Sequence, residues 1–174
     1  MTAAPVETTG LDLDLFGQSS RAVFSPDRVY RYDLTRHWGP KPYCVTWIML
    51  NPSTADENTD DPTIRRCIAY SKAWGYDGLA VVNLFALRAT HPRVMIKHLA
   101  PEGPDNNLVI KARAESSPVV VAAWGLHGAH RGRARDVLAL LDGVQLHCLG
   151  LTANGQPRHP LFVRGDEPLI RYQP

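Results

Sequence analysis

The sequence predicts a three-layer α/β sandwich on a central, mostly parallel four-stranded sheet, with a short N-terminal hairpin attached. Three observations lead there. Four apolar runs of strand length, 44–50, 79–84, 118–124 and 144–149, lack polar alternation, as strands buried on both faces do. Segments of helical spacing separate them, and strand alternating with helix builds a parallel sheet covered on both sides. The chain has 174 residues, 44% hydrophobic and 21% charged, which suits one ordinary folded domain and excludes wholesale disorder.

From the N-terminus, residues 1–20 carry little pattern and read as a mobile tail, with Leu11, Leu13, Leu15 and Phe16 available to dock on the body. Residues 21–174 then form a single α/β domain. Ala22-Val23-Phe24, a Ser25-Pro26-Asp27 turn signal and Val29-Tyr30-Arg31-Tyr32 make a hairpin or two short edge strands. The first buried strand ends at Asn51-Pro52-Ser53, and a polar loop runs to Asp61. Asp61 before Pro62 opens a helix, and Ile64, Cys67, Ile68, Ser71 and Trp74 share one face of it up to Gly75. After the second strand come short helices over 92–99 and 105–115. After the third comes a helix over 127–141 that Gly132 weakens. The fourth strand leads into a loop over 150–160 and an extended tail.

Composition limits the function classes. The net charge of +2 diagnoses no partner. Of nineteen basic residues fifteen are Arg, the better fork for phosphate and for stacking on bases, although genome base content produces the same bias. Cys44, Cys67 and Cys148, an odd set without CxxC spacing, read as reduced thiols of a cytoplasmic protein. No apolar run reaches the length of a membrane span, and no secretory leader is visible. His127, His130 and His147 lack compact ligand spacing, so neither a metal nor another cofactor is expected.

In open parallel sheets ligands bind beyond the carboxyl ends of the strands. The residues just past those ends are Asn51 with Pro52 and Ser53, Asn83 with Phe85 and Arg88, Trp124, and Arg158 with His159. An amide can pair with a base edge or orient a water; after a strand it also serves as a turn former. Asn83, inside an apolar run, fits the turn role less well. His159 stands between two prolines in Pro157-Arg158-His159-Pro160, a stiff loop suited to a positioned side chain. In the acidic loop Asp56, Glu57, Asp60, Asp61, one carboxylate could activate water or bind a metal, although helix capping and solvation explain these residues more simply.

These residues carry two resemblances. Met49-Leu50-Asn51-Pro52-Ser53-Thr54-Ala55-Asp56, Asp61-Pro62-Thr63-Ile64-Arg65-Arg66-Cys67, Val82-Asn83-Leu84-Phe85-Ala86-Leu87-Arg88-Ala89-Thr90, Gly103-Pro104-Asp105-Asn106 and Pro157-Arg158-His159-Pro160-Leu161 closely resemble a bacterial and phage family, domain of unknown function 1643. More distantly, Asn51-Pro52, Asn83 and His159-Pro160 resemble in order and placement three motifs of the uracil-DNA glycosylase superfamily. Met49 stands where that superfamily has glycine and Leu161 where it has serine, and no apolar wedge loop is legible, which points away from duplex repair.

The second resemblance implies a uracil-DNA-glycosylase-like fold and hydrolysis of an N-glycosidic bond in a nucleic acid or nucleotide, single-stranded or carrying a modified base. Asn51, His159 and Asp56 would be catalytic. Pro52, Ser53, Asn83, Phe85, Arg88, Trp124 and Arg158 would bind substrate, Phe85 or Trp124 stacking on the base. The alternative is a non-catalytic nucleobase- or nucleotide-binding module of a nucleic-acid modification or defence system. The two differ in whether product forms.

Overall fold

The computed structural model describes residues 6–11 and 18–174. It is a mixed α/β fold on one eight-stranded sheet. The strands are β1 (Glu7–Leu11), β2 (Gln18–Phe24), β3 (Arg31–Trp38), β4 (Val45–Met49), β5 (Gly78–Asn83), β6 (Val119–Ala122), β7 (Leu146–Cys148) and β8 (Ile170–Arg171). Their spatial order is β1-β2-β3-β5-β4-β6-β7-β8.

The expected four-stranded, mostly parallel sheet is corrected by this arrangement. Of the seven pairings, β5 with β4, β4 with β6 and β6 with β7 are parallel, and the other four are antiparallel. The additional strands were missed for a physical reason. Glu7–Leu11 reads Glu-Thr-Thr-Gly-Leu and lies at one edge, and β8 has two exposed residues at the other, so neither carries a core pattern. Residues 7–11 and 18–20, read from sequence as tail, are therefore strand; Leu13, Leu15 and Phe16 lie outside the described residues. The hairpin is longer than the sequence suggested, β2 and β3 pairing from Gln18↔Trp38 to Phe24↔Arg31.

The helices are α1 (Pro62–Ala73), α2 (Pro92–Lys97), α3 (Asn106–Ser116) and α4 (Arg133–Leu140). Alternate residues of β4 feed two cores. Val45, Trp47 and Met49 pack with Ile64, Cys67 and Tyr70 of α1. Ile48 packs on the opposite face with Met95 of α2, Ile110 of α3 and Val137 of α4.

The helix expected over 127–141 is broken. A short 3-10 segment covers Leu126–Gly132, and the backbone leaves helical geometry at His130 and at Arg131 (φ 53°). Gly132 adopts the left-handed conformation immediately before α4. Gly128 in this segment lies against Trp124; a Cβ there would come within 2.0 Å of Trp124 Cδ1. No described helix is long and apolar enough to cross a membrane.

Candidate functional site

At the carboxyl ends of β4, β5 and β6 lies a cleft of about 730 Å³. Asn51, Ser53, Asn83, Trp124, Arg158 and His159, all singled out from sequence, line it. Residues from four distant parts of the chain thus share one hollow: Asn51, Ser53, Asn83 and Trp124 sit at or just past the ends of β4, β5 and β6, and the loop after β7 brings Arg158 and His159 to the same rim.

Asn51 is fixed by its amide nitrogen, which donates to the carbonyl oxygens of Pro52 at 3.0 Å and Ala89 at 2.7 Å. Two carbonyl neighbours determine which end of the amide is nitrogen. Among the described residues Asn51 Oδ1 accepts no hydrogen bond, so it is the end offered to a ligand or water.

Asn83, the last residue of β5, is 1% exposed and its Nδ2 has no hydrogen-bond partner. Its main chain is firmly held. Asn106 Nδ2 donates to the carbonyls of Asn83 at 2.9 Å and Leu84 at 3.0 Å, and Arg133 Nε donates to that of Leu84 at 2.7 Å. An amide donor buried without an acceptor destabilises the protein by about 1–3 kcal/mol. The residue lies on the cleft wall, and its Oδ1 likewise makes no hydrogen bond among the described residues.

His159 is brought in by the last loop, where Gly125 N–H donates to the Pro157 carbonyl at 2.9 Å and Arg158 N–H to the Gly150 carbonyl at 2.9 Å. The Leu161 N–H donates to His159 Nδ1 at 3.3 Å. In the neutral ring the proton therefore sits on Nε2, leaving a donor. Burial pushes the imidazole pKa down, against the opposing pull of Asp61. Trp124 is 1% exposed, and its Nε1 donates to Gln156 Oε1 at 2.9 Å.

Four sequence candidates lie elsewhere. Asp56 Oδ1 accepts the N–H groups of Asn58 and Thr59, both at 2.9 Å, and these bonds, Asn58's first, hold its carboxyl below the usual range. It closes its own loop turn and does not line the cleft. Phe85 is fully buried and packs on His130 with ring centres 5.8 Å apart, so it is a core residue rather than a stacking platform. Pro52 is buried behind Asn51 and acts through its carbonyl, which also accepts the Ala89 N–H at 2.9 Å. Arg88 lines an adjoining recess of about 500 Å³ that shares Ser53, Ala89 and Thr90 with the cleft.

Sequence reasoning left out Arg31 and weighed Asp61 only as a helix cap and one carboxylate of the acidic loop; both line the cleft. Asp61 caps α1, its Oδ1 accepting the Ile64 N–H at 2.9 Å, while its other oxygen accepts nothing among the described residues. Arg31 is 2% exposed; its Nη1 donates to the Ala55 carbonyl, its Nε has no acceptor, and burial drags its pKa down to about 10. Both were findable from topology. A helix that succeeds a parallel strand starts at the carboxyl rim, and β3, antiparallel to β5, starts where β5 ends. Phe162, 80% exposed and 5.6 Å from the His159 ring, adds an aromatic at the rim. No cluster of three or more His, Cys, Asp or Glu that could hold a metal occurs among the described residues.

A family model described as "Protein of unknown function (DUF1643)" matches residues 31–161. No curated protein and no solved structure matches the chain.

Proposed function

The chain belongs to the family described as Protein of unknown function (DUF1643), and we propose that its cleft recognises a nucleobase and hydrolyses the N-glycosidic bond that holds it. The observation that carries this reading is the orphaned Asn83 amide nitrogen on the cleft wall, opposite groups suited to the rest of the reaction.

Asn83 Nδ2 would donate to an oxygen on the base edge. His159 Nε2–H would donate to a second acceptor of the base, which gains negative charge as the bond to the sugar breaks. Trp124 and Phe162 supply the apolar and aromatic surface for the ring. The attacking water would give one hydrogen bond to Asn51 Oδ1 and its proton to the free oxygen of Asp61, while its own oxygen bonds to the sugar carbon that the base leaves. Asp61 replaces Asp56 in that role, since Asp56 faces its own loop.

A non-catalytic module is the second reading. It is favoured by Asn51, whose NH₂ group is wholly engaged with the backbone, so that only one atom remains for chemistry. Oligonucleotides carrying uracil, hypoxanthine or modified bases, single- and double-stranded, separate the two. Abasic sites that form with the wild type and not with Asp61→Asn support hydrolysis. Binding without any abasic product supports the module. No binding of any base-bearing ligand, in wild type or variants, removes both.

A further inference from the structure

We propose that the recess beside the cleft is a phosphate site, so that the ligand is a nucleoside carrying a phosphate ester rather than a free base. The identity of the nucleoside half rests on the base reading above; the phosphate half rests on separate groups.

Two arginines border the wall between cleft and recess. Arg31 lines the cleft and Arg88 the recess. Arg88 Nη1 donates to the Arg28 carbonyl at 3.2 Å, and its guanidinium carbon lies 5.1 Å from the centre of the Phe24 ring. The Nε of each arginine is buried without an acceptor. Among the described residues neither has a carboxylate within ion-pair distance.

Their neighbours differ. Arg28 pairs with Glu7 and Glu57, Arg36 with Asp60, and Arg113 with Asp33. The acids around the hairpin are therefore taken, and none of them pairs with Arg88. Beyond its burial, Arg31 feels the opposing charge of Asp61 first and the repulsion of Arg88 after it. Arg88 is thus the cation for which the protein supplies no carboxylate among the described residues.

The wall supplies further donors. Ser53 and Thr90 line both cavities and Thr54 lines the recess, and none of their hydroxyls makes a hydrogen bond among the described residues. The recess thus holds one guanidinium without a carboxylate, that of Arg88, beside the ion-paired Arg28 and three free hydroxyls, a set that matches the several oxygens and the charge of a phosphate better than a single carboxylate. Because the two cavities share Ser53, Ala89 and Thr90, a phosphate ester of whatever occupies the cleft could reach the recess.

The test measures dissociation constants by calorimetry at fixed ionic strength. The ligands are ribose and ribose 5-phosphate, a nucleoside with its 5′- and 3′-monophosphates, and a short single strand with its methylphosphonate counterpart. The variants are Arg88→Gln and Thr54→Val, both of residues that line the recess and not the cleft. The expected result is a gain of about tenfold or more from the phosphate. Either variant should remove most of that gain while leaving nucleoside affinity unchanged. A gain from a terminal phosphate identifies a free nucleotide, and a gain only from the diester identifies a strand. The proposal is overturned if neither kind of phosphate adds affinity, or if the gain persists in both variants. An Arg88-dependent gain for ribose 5-phosphate, with nothing added by a base, keeps the phosphate site and refutes the base reading alone.

Discussion

Replacing Asn83 with leucine separates stability from recognition. The two side chains have the same number of heavy atoms in the same branched outline, so the substitution changes polarity far more than volume. Asn83 is 1% exposed and its Nδ2 has no partner, whereas the main-chain carbonyls of residues 83 and 84 accept from the Asn106 and Arg133 side chains and do not depend on the Asn83 side chain. Removing an unsatisfied buried donor should therefore stabilise the free protein by about 1–3 kcal/mol. For a chain of this size each kcal/mol moves Tm by about 2–4 °C, so thermal melts should shift upward by several degrees. Base affinity should fall about ten- to hundredfold, the range for losing an amide contact to a base edge. Urea denaturation and calorimetric titration with base-bearing ligands read the two effects in one protein. A fall in Tm of several degrees would mean that the amide is satisfied in the free protein and serves the fold. Unchanged affinity would mean that it does not touch the base.

Other consequences are equally direct. Burial places the His159 pKa below its ordinary 6.5, and His37 is shifted the same way, chiefly by burial. Between the lowered and ordinary values the unfolded chain holds more protons, so this stability is full above the ordinary value and is lost as pH falls through the lowered one. An NMR titration should give a His159 midpoint under 6.5, and His159→Gln should flatten the acid side of the Tm–pH curve; a midpoint at or above 6.5 contradicts the burial argument. Asp61→Asn keeps an equally good helix cap, so melts should barely move while turnover drops about 10²- to 10⁴-fold, the usual contribution of a general base; unchanged turnover removes Asp61 from the chemistry. Gly128→Ala drives a methyl into the Trp124 ring and should displace that wall, with overpacking of about 1–3 kcal/mol. Tryptophan fluorescence and urea melts check it, and wild-type behaviour in both would exclude the tight contact.

Burial decided which elements were legible in the sequence. Val45–Met49 and Gly78–Asn83 are buried at every position, so their apolar runs were unambiguous. In the edge strands, residues 7–10 and Ile170–Arg171 bury little, and a strand held mainly by backbone pairing leaves no side-chain pattern to read. The site was legible where it lies just past parallel strands: Asn51, Asn83, Trp124 and His159 meet as the topology required. It was not legible at Arg31, because the start of an antiparallel strand was not counted as part of the carboxyl rim. Phe85 and Asp56 show the opposite failure. Both stand near a rim in sequence, but one turns into the core and the other into its own loop, choices set by packing and by local backbone donors.

If the cleft holds a base as proposed, its unfilled hydrogen-bonding capacity also bears on which base. The Nε2–H of neutral His159 and Arg31 Nε are donors without acceptors, whereas the Asn83 amide has neither end bonded among the described residues and can present Nδ2 or Oδ1. The free acceptors besides it, Asn51 Oδ1 and one oxygen of Asp61, belong to the first loop and the start of α1. A base with an exocyclic amine on its exposed edge, set against His159, would place donor against donor and leave both buried without partners, which would reject it more strongly than any missing apolar contact could. A base with carbonyl oxygens on that edge satisfies the same groups, and the charge it acquires on leaving strengthens each bond. On the proposed reading, a preference for oxo over amino bases and the stabilisation of the leaving group would both come from His159, and a ranking of cytosine above uracil, or adenine above hypoxanthine, would be incompatible with that role.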